Sequence, residues 1–281
     1  MSSFRHGDLV SATVRRPDGC PSCMAGQPDM CQSLGYTERG IIGLHGFMSE
    51  RFVEDEANLI HVPAGIEPTA VLLEPLSVVE KAVRQADLIQ RRMARWSPRT
   101  AVVLGAGPIG ILGTFLLRSR GLEVYTLART PAPNPAAALV LGCGAHYVSV
   151  QETSFRELAT TLPNVDLIIE ATGHGPPAFE AMDLLGNSGV LVWLSIVGDD
   201  DQSTLPFASI LRGHVLGNKV TVGSVNSAHE DFTAGAADLV RFETLWPGLT
   251  GSMITHRLRV DEATRIGELL DGGVKTVIEF D

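Results

Sequence analysis

The sequence has no long apolar run. Its most apolar stretches, around 102–117 and 188–198, are broken by Gly, Ser or Asp and are too short to span a bilayer, so no membrane partner is expected. It has no basic tract and no interleaving of basic with aromatic residues. With 22 Lys+Arg against 32 Asp+Glu the formal net charge is −10, and nucleic acid is not an expected partner either. No basic segment followed by an apolar run opens the chain, so no secretory leader is read and a cytoplasmic location is expected. Internal repeats and low-complexity tracts are missing as well. Cysteine is scarce, at four residues, yet Cys20, Cys23 and Cys31 fall close together. In a cytoplasmic chain such a cluster suggests metal before disulfides. What is present is ample core material: 281 residues, 44% hydrophobic and 19% charged, enough for one large domain or two ordinary ones.

Residues 1–62 hold short apolar runs cut by Gly, Pro and Asp (DLVSATV, GIIGLHGFMSERFVE, NLIHVP), which read as strands of an irregular β-rich segment. From Glu74 to about Trp96 the spacing turns helical, with Val78, Val79, Ala82, Ala86, Ile89 and Met93 recurring and Pro75 in the first turn. From Arg99 strands and helices alternate. TAVVLG, EVYTLAR, HYVSV, VDLIIEAT, GVLVWLSI and KVTVGSV are strand candidates, and PIGILGTFLLRSRG and NPAAALVLGCG are helices. This order predicts an α/β fold with a doubly wound parallel sheet of the Rossmann type over roughly 99–224. The tail reads as a helix (FTAGAADLVRFETL), a second helix (DEATRIGELLDG) and a strand (KTVIEF).

Gly105-Ala106-Gly107-Pro108-Ile109-Gly110 matches G-x-G-x-x-G between a buried strand and a helix, the context that makes the pattern informative. Gly105 permits the tight turn, Gly107 lets backbone approach a pyrophosphate, and Gly110 lets helix and strand pack closely. The alternative is a glycine turn with no ligand. NAD sites place an acid at the end of the second strand; here Leu127-Ala128-Arg129-Thr130 offers none. Arg129 suits a 2′-phosphate, so NADP is expected ahead of NAD, the alternative being a solvated loop arginine.

Cys20-x2-Cys23-x7-Cys31, with Asp18 just ahead, has spacing that can converge on one zinc, although Asp18-x-Cys20 is tight. Either these four residues form a filled, structural site, or the lobe keeps three free thiols. Cys143, in LGCGAH, reads as a buried small residue.

Taken together, GDLVSATVRRP (7–17), the cysteine lobe, GYTERGIIGLHGFMSERF (35–52), LLEPLSVVEKA (72–82), VLGAGPIG (103–110), LEVYTLAR (122–129), DLIIEATG (166–173) and NKVTVGSVN (218–226) resemble the medium-chain, zinc-containing dehydrogenases. The resemblance is strongest to the archaeal-type glucose 1-dehydrogenases, which oxidise aldoses with NAD(P), and it covers essentially the whole chain. It implies a partial, β-rich GroES-like catalytic domain over 1–85, the Rossmann domain over 86–224, and a return to the catalytic domain over 225–281. It implies homo-oligomers too. By the same resemblance Glu38 matches a glutamate that binds sugar hydroxyls. Glu74 matches the group close to the catalytic zinc, in reach of the substrate. Asn226 matches an asparagine that contacts substrate and nicotinamide, and Glu80 a supporting residue on the same helix as Glu74. Gly105, Gly107, Pro108, Ile109, Gly110, Arg129 and Thr172 fall at cofactor positions.

Two departures from the family stand out. Its structural lobe carries four cysteines, whereas Asp18 stands near the first here. Its N-terminal ligands to the catalytic zinc lie ahead of this sequence's start, and neither His6 nor His45 replaces them. The resulting expectation is a chain that binds NADP and oxidises glucose feebly or not at all. A zinc-independent reductase and an NADP-binding module without turnover are the other readings.

Overall fold

The computed structural model describes residues 3–198, 204–269 and 273–280. Two compact units divide the chain, residues 1–81 with 225–281 and residues 82–224. The first unit opens with β1 (Val10–Ala12), β2 (Arg15–Arg16), the single turn α1 (Pro21–Met24), β3 (Thr37–Arg39), β4 (Gly43–Leu44) and β5 (Leu59–His61). Helix α2 (Leu73–Gln90) carries the chain across the division. The second unit then runs β6 (Thr100–Leu104), α3 (Pro108–Ser119), β7 (Glu123–Ala128), α4 (Pro135–Gly142), β8 (His146–Ser149), α5 (Phe155–Thr161), β9 (Val165–Glu170), α6 (Gly175–Leu184), β10 (Leu185–Trp193), α7 (Phe207–Gly217) and β11 (Val220–Gly223). The chain returns to the first unit with α8 (His229–Leu245), β12 (Ile254–Arg259) and β13 (Lys275–Glu279).

The second unit is built on one six-stranded sheet in the order β11-β10-β9-β6-β7-β8, every neighbouring pair parallel. All five residues of β6 are buried, as its unbroken apolar run requires of a central strand covered on both faces. Val102, Leu104, Ile168 and Leu191 pack with Leu158, Ala181 and Leu184 of α5 and α6. Right-handed crossovers put α3 and α4 on the other face, because the chain winds outward from β6 to β8 and then returns to start again at β9. That reversal leaves a crevice at the carboxyl ends of β6 and β9, where ligands bind in such sheets.

In the first unit β1 pairs with β5, β2, β3 and β4 form a small sheet, and β12 pairs with β13. Phe232, Leu239 and Phe242 line the buried stripe of α8. Gly235 brings that helix onto the start of α2: a Cβ there would lie 3.0 Å from Leu73 Cδ1 and 3.4 Å from Leu76 Cγ.

Two boundaries differ from the sequence expectation. Helix α2 stops at Gln90 rather than near Trp96, because the N–H groups of Arg91, Arg92 and Met93 bond to carbonyls three residues back. The Gln90 side chain is buried and donates to the Ser188 carbonyl, anchoring the last helical turn, whereas the arginines beyond it have no apolar face to bury. The helix expected from Asp261 is a 3₁₀ helix, Val260–Glu268. Its apolar residues, Val260, Ala263 and Ile266, recur every three positions, which is the 3₁₀ period, and none is buried enough to favour the α form. Residues 270–272 of that expectation lie outside the described residues.

Candidate functional site

The turn after β6 is shaped for close backbone approach. Gly105 sits at φ +100°, and a Cβ there would come 2.7 Å from the Ala171 carbonyl oxygen. A Cβ on Gly110 would come 1.9 Å from the Gly105 carbonyl oxygen, so α3 lies directly against the turn that precedes it. Around Gly107 the opposite holds: nothing lies within 4 Å of a Cβ placed there. Gly107 caps α3 with Pro108 at the first helical position and no capping side chain, which leaves the N–H groups of the first turn for an anion.

Gly105, Gly107, Arg129, Thr130, Thr172 and His174 line one cavity of about 350 Å³. The backbone that carries Arg129 is tied down from β8. Ser149 Oγ donates to the Arg129 carbonyl at 3.1 Å, and the Tyr147 hydroxyl donates to the Thr130 carbonyl at 2.7 Å. The Arg129 side chain itself is exposed, and among the described residues no carboxylate pairs with it. On the opposite rim the buried Glu170 accepts from the Thr172 N–H at 2.7 Å, the Thr172 hydroxyl at 2.5 Å and the Ser195 hydroxyl. One carboxylate thereby holds the loops that leave β9 and β10.

The first unit brings together the side chains expected to meet a sugar. Glu38, on β3, is buried and accepts from Arg15 Nε at 2.8 Å and from Asn226 Nδ2 at 2.6 Å. Asn226 lies in the left-handed region at φ +60°, with its Oδ1 bonded to the Ser227 N–H. Ser227 Oγ meets Ser77 Oγ at 2.7 Å, and Ser77 Oγ donates to the Glu74 carbonyl at 2.6 Å, so Glu38, Asn226 and the first turn of α2 belong to one hydrogen-bonded chain. Desolvation raises the Glu74 carboxyl above its ordinary range while the positive charge of Lys275 pulls it down. The residue nonetheless keeps an exposed surface.

The cysteine lobe is a second centre in that unit. The ligand atoms of Asp18, Cys20, Cys23 and Cys31 all lie within 4.8 Å of one another. Cys20 Sγ and Cys31 Sγ are 3.8 Å apart, close to the about 3.8 Å between two sulfurs on a tetrahedral zinc with about 2.3 Å bonds. Asp18 reaches Cys23 Sγ at 3.4 Å and Cys31 Sγ at 3.3 Å. Hydrogen bonds from Ser33 and from the Cys20 N–H hold its carboxyl well below the usual range. Backbone N–H groups of Cys23 and Gln32 lower the Cys20 thiol to about 6, favouring the thiolate that binds metal. The donor set therefore fits one zinc, and with four protein positions filled the site would be structural. Among the described residues this is the one group of three or more such side chains that converges. Among the described residues Glu74 has no companions of that kind.

Of the residues singled out from sequence, Gly105, Gly107, Arg129 and Thr172 share the cavity. Pro108 and Ile109 form the first turn of α3, and Gly110 acts through packing. Glu38 and Asn226 touch each other. Cys143 is buried. Sequence reasoning passed over Arg15, Asp29, Lys81 and Glu170, all of them buried charges. Little in the sequence marks Lys81 as buried, because its neighbours three and four positions away on α2 are Ser77, Val78, Arg84 and Gln85.

A six-stranded parallel sheet with a glycine turn at its switch point defines an α/β protein of the Rossmann type. The family described as "Glucose dehydrogenase C-terminus" matches residues 67–280. A glucose 1-dehydrogenase of Methanocella arvoryzae is 42% identical over 285 residues, covering 100% of this chain and 78% of that protein. One from Metallosphaera sedula is 36% identical, covering 99% of this chain and 77% of that protein. The solved glucose dehydrogenase of Haloferax mediterranei in complex with NADP, Zn and gluconolactone superposes with a TM-score of 0.90 at 33% identity, covering 99% of this chain and 78% of that one. The chain belongs to the archaeal-type glucose 1-dehydrogenase family of the medium-chain dehydrogenases.

Proposed function

We propose that the second unit binds NADP and that Glu38, Asn226 and Glu74 engage an aldose. The observation that carries the reading is the unpaired Arg129 in the cavity that also holds the glycine turn and the N-terminus of α3. Phosphates need N–H donors and open backbone, and a 2′-phosphate needs a cation where NAD sites place an acid. In the family's reaction a hydride leaves C1 of the sugar for C4 of the nicotinamide and the C1 hydroxyl loses its proton, which gives a lactone, NADPH and H⁺. Glu38, already polarised by Arg15, is suited to accept from a sugar hydroxyl, and Asn226 is suited to donate to one. Holding the sugar in this way lowers the barrier by fixing its orientation. A cytoplasmic homo-oligomer is the setting that fits its free thiols and its family.

A second reading, NADP binding without turnover, is favoured by one observation: Glu74 lacks converging metal ligands among the described residues. The two separate in one experiment. The purified 281-residue chain is titrated with NADPH and with NADH by nicotinamide fluorescence, then given glucose, NADP and zinc while NADPH is followed. Tight NADPH binding with glucose oxidation supports the aldose reading, and binding without oxidation supports the second. Failure to bind either nucleotide would remove both.

A further inference from the structure

In the first unit, four buried charges close into a ring that runs from the cysteine lobe to Asn226. Lys81 Nζ, on α2, donates to the Val225 carbonyl at 2.8 Å. The next residue is Asn226, whose amide donates to Glu38 at 2.6 Å. Glu38 also accepts from Arg15 Nε at 2.8 Å, and Arg15 Nη1 donates onward to the Asp29 carbonyl at 3.2 Å. Asp29 closes the circuit, its carboxylate 3.0 Å and its carbonyl 3.1 Å from Lys81 Nζ. Arg15, Asp29, Glu38 and Lys81 are each no more than 5% exposed. The Arg15 guanidinium also lies 3.7 Å from the centre of the Tyr36 ring, which limits its swing.

The location of Asp29 gives the ring its significance. It lies in the 3₁₀ turn Pro28–Met30, between Cys23 and Cys31 and two residues from the latter. Fixing both thiols on one metal fixes that turn, and with it the carbonyl that Arg15 grips. Arg15 and Asn226 take the same oxygen of Glu38, Oε1, and among the described residues no protein donor reaches Oε2. The direction in which Oε2 points is therefore set by Arg15, and through it by the lobe. Buried ion pairs are weak evidence for stability, since apolar replacements often do as well. A ring of them that ends on two sugar-contact candidates is better explained as a device for holding position.

We infer that Arg15, Asp29 and Lys81 are positioning residues that transmit metal occupancy of the Asp18–Cys20–Cys23–Cys31 lobe to Glu38 and Asn226. The inference rests on the reading of those two residues as sugar contacts, but its first test does not require sugar. In ¹⁵N-labelled protein of these 281 residues, the Asn226 side-chain amide pair, assigned through Asn226→Gln, is followed as zinc is added to metal-free protein. The expected result is a shift that saturates with the zinc that protects the thiols. It is lost in Asp29→Asn/Lys81→Met and in the gentler Arg15→Lys, which keeps the charge but not the fork. A thermal melt and retained zinc stoichiometry show that each variant is folded. An amide that ignores zinc in the wild type, or responds equally in both folded variants, overturns the proposal.

Linkage supplies the second test. Zinc should tighten gluconolactone binding by about tenfold, and gluconolactone should tighten zinc binding by the same factor. Equal lactone affinity with and without zinc would also overturn the proposal. If no lactone binds in any form while the amide still follows zinc, the sugar reading fails and the coupling stands.

Discussion

The Asn226 side-chain amide donates to the Glu38 carboxylate at 2.6 Å across 188 residues of sequence, and the same carboxylate neutralises the buried Arg15. Glu38→Ala leaves that guanidinium without its partner in a place water does not reach. The expected loss is about 3–5 kcal/mol of unfolding free energy. Glu38→Gln keeps a carbonyl acceptor for both donors and is expected to cost about 1–3 kcal/mol. Urea denaturation read by tryptophan fluorescence measures both. Equal stability of Glu38→Ala and the parent would mean that the pair is not closed in solution.

Much of this molecule could be read from its sequence, for identifiable reasons. The strand–glycine turn–helix at 100–119 is strictly local: an all-apolar strand, a Gly105 that needs positive φ and a Gly110 that admits no Cβ leave little other choice. The place of Arg129, just after the second strand and lining the same cavity as the glycine turn, was legible because strand order alone puts it there. The Glu38–Asn226 contact was not, since nothing local to either residue specifies a partner 188 positions away. Arg15 and Lys81 stayed hidden for a related reason. A charged residue in a mostly apolar segment normally signals a solvated edge, and only the tertiary structure shows Asp29 waiting for them. Helices α5, α6 and α7 were passed over, α5 because it has only seven residues. The Ser154–Glu157 capping box at the start of α5 was the cue.

Arg129 stands in the cavity beside the glycine turn with no competing carboxylate among the described residues, so on the proposed reading its substitution should discriminate between nucleotides. Arg129→Ala is expected to weaken NADPH binding by about 10- to 100-fold, the loss of one charge-assisted contact to a phosphate, and to leave NADH nearly unchanged. Arg129→Asp adds repulsion to the 2′-phosphate and an acceptor for a ribose hydroxyl, and should turn the preference toward NADH. Fluorescence titration of each variant with both nucleotides gives the ratio. A parallel fall for NADPH and NADH would place Arg129 outside the 2′ subsite.

Metal removal offers a test of the cysteine lobe. In zinc-loaded protein all three thiols of the lobe should resist alkylation at pH 7, and chelation should expose them. Cys20 is expected to react first, because N–H donors hold its thiol at about 6. Asp18 is both a ligand candidate and the acceptor of the Cys20 and Gly35 N–H groups at 3.0 Å each. Asp18→Ala should therefore lower zinc affinity by about 10- to 100-fold and also loosen the loop. Asp18→Asn, which retains an acceptor oxygen but no charge, separates the two effects. Competition with a chromogenic chelator reads the affinity. Unchanged zinc binding in Asp18→Ala would reduce the site to three thiolates.

Glu54 provides the clearest pH dependence of stability. It binds Arg16 through both oxygens, at 3.2 and 2.6 Å, and also accepts from Arg39 Nε at 3.0 Å and Asn58 Nδ2 at 2.9 Å. Burial alone would push its carboxyl up, but the Arg16, Asn58 and Asp55 N–H donors outweigh that and bring it from 4.5 down to about 2. A carboxyl whose pKa is lower in the folded than in the unfolded chain binds its proton more weakly when folded. Its contribution is therefore complete above about pH 4.5 and is lost as the pH falls toward about 2. Discounted for partial screening by solvent, it is worth about 2 kcal/mol. Glu54→Gln removes the titration and should flatten the acid limb of the stability curve by that amount. It should also lower stability at pH 7, where two arginines lose their shared counter-ion. Urea midpoints of parent and variant, measured from pH 7 to pH 3, should converge as the pH falls. If the two curves stay parallel, Glu54 does not titrate with folding, and the Arg16–Glu54–Arg39 cluster contributes through shape rather than charge.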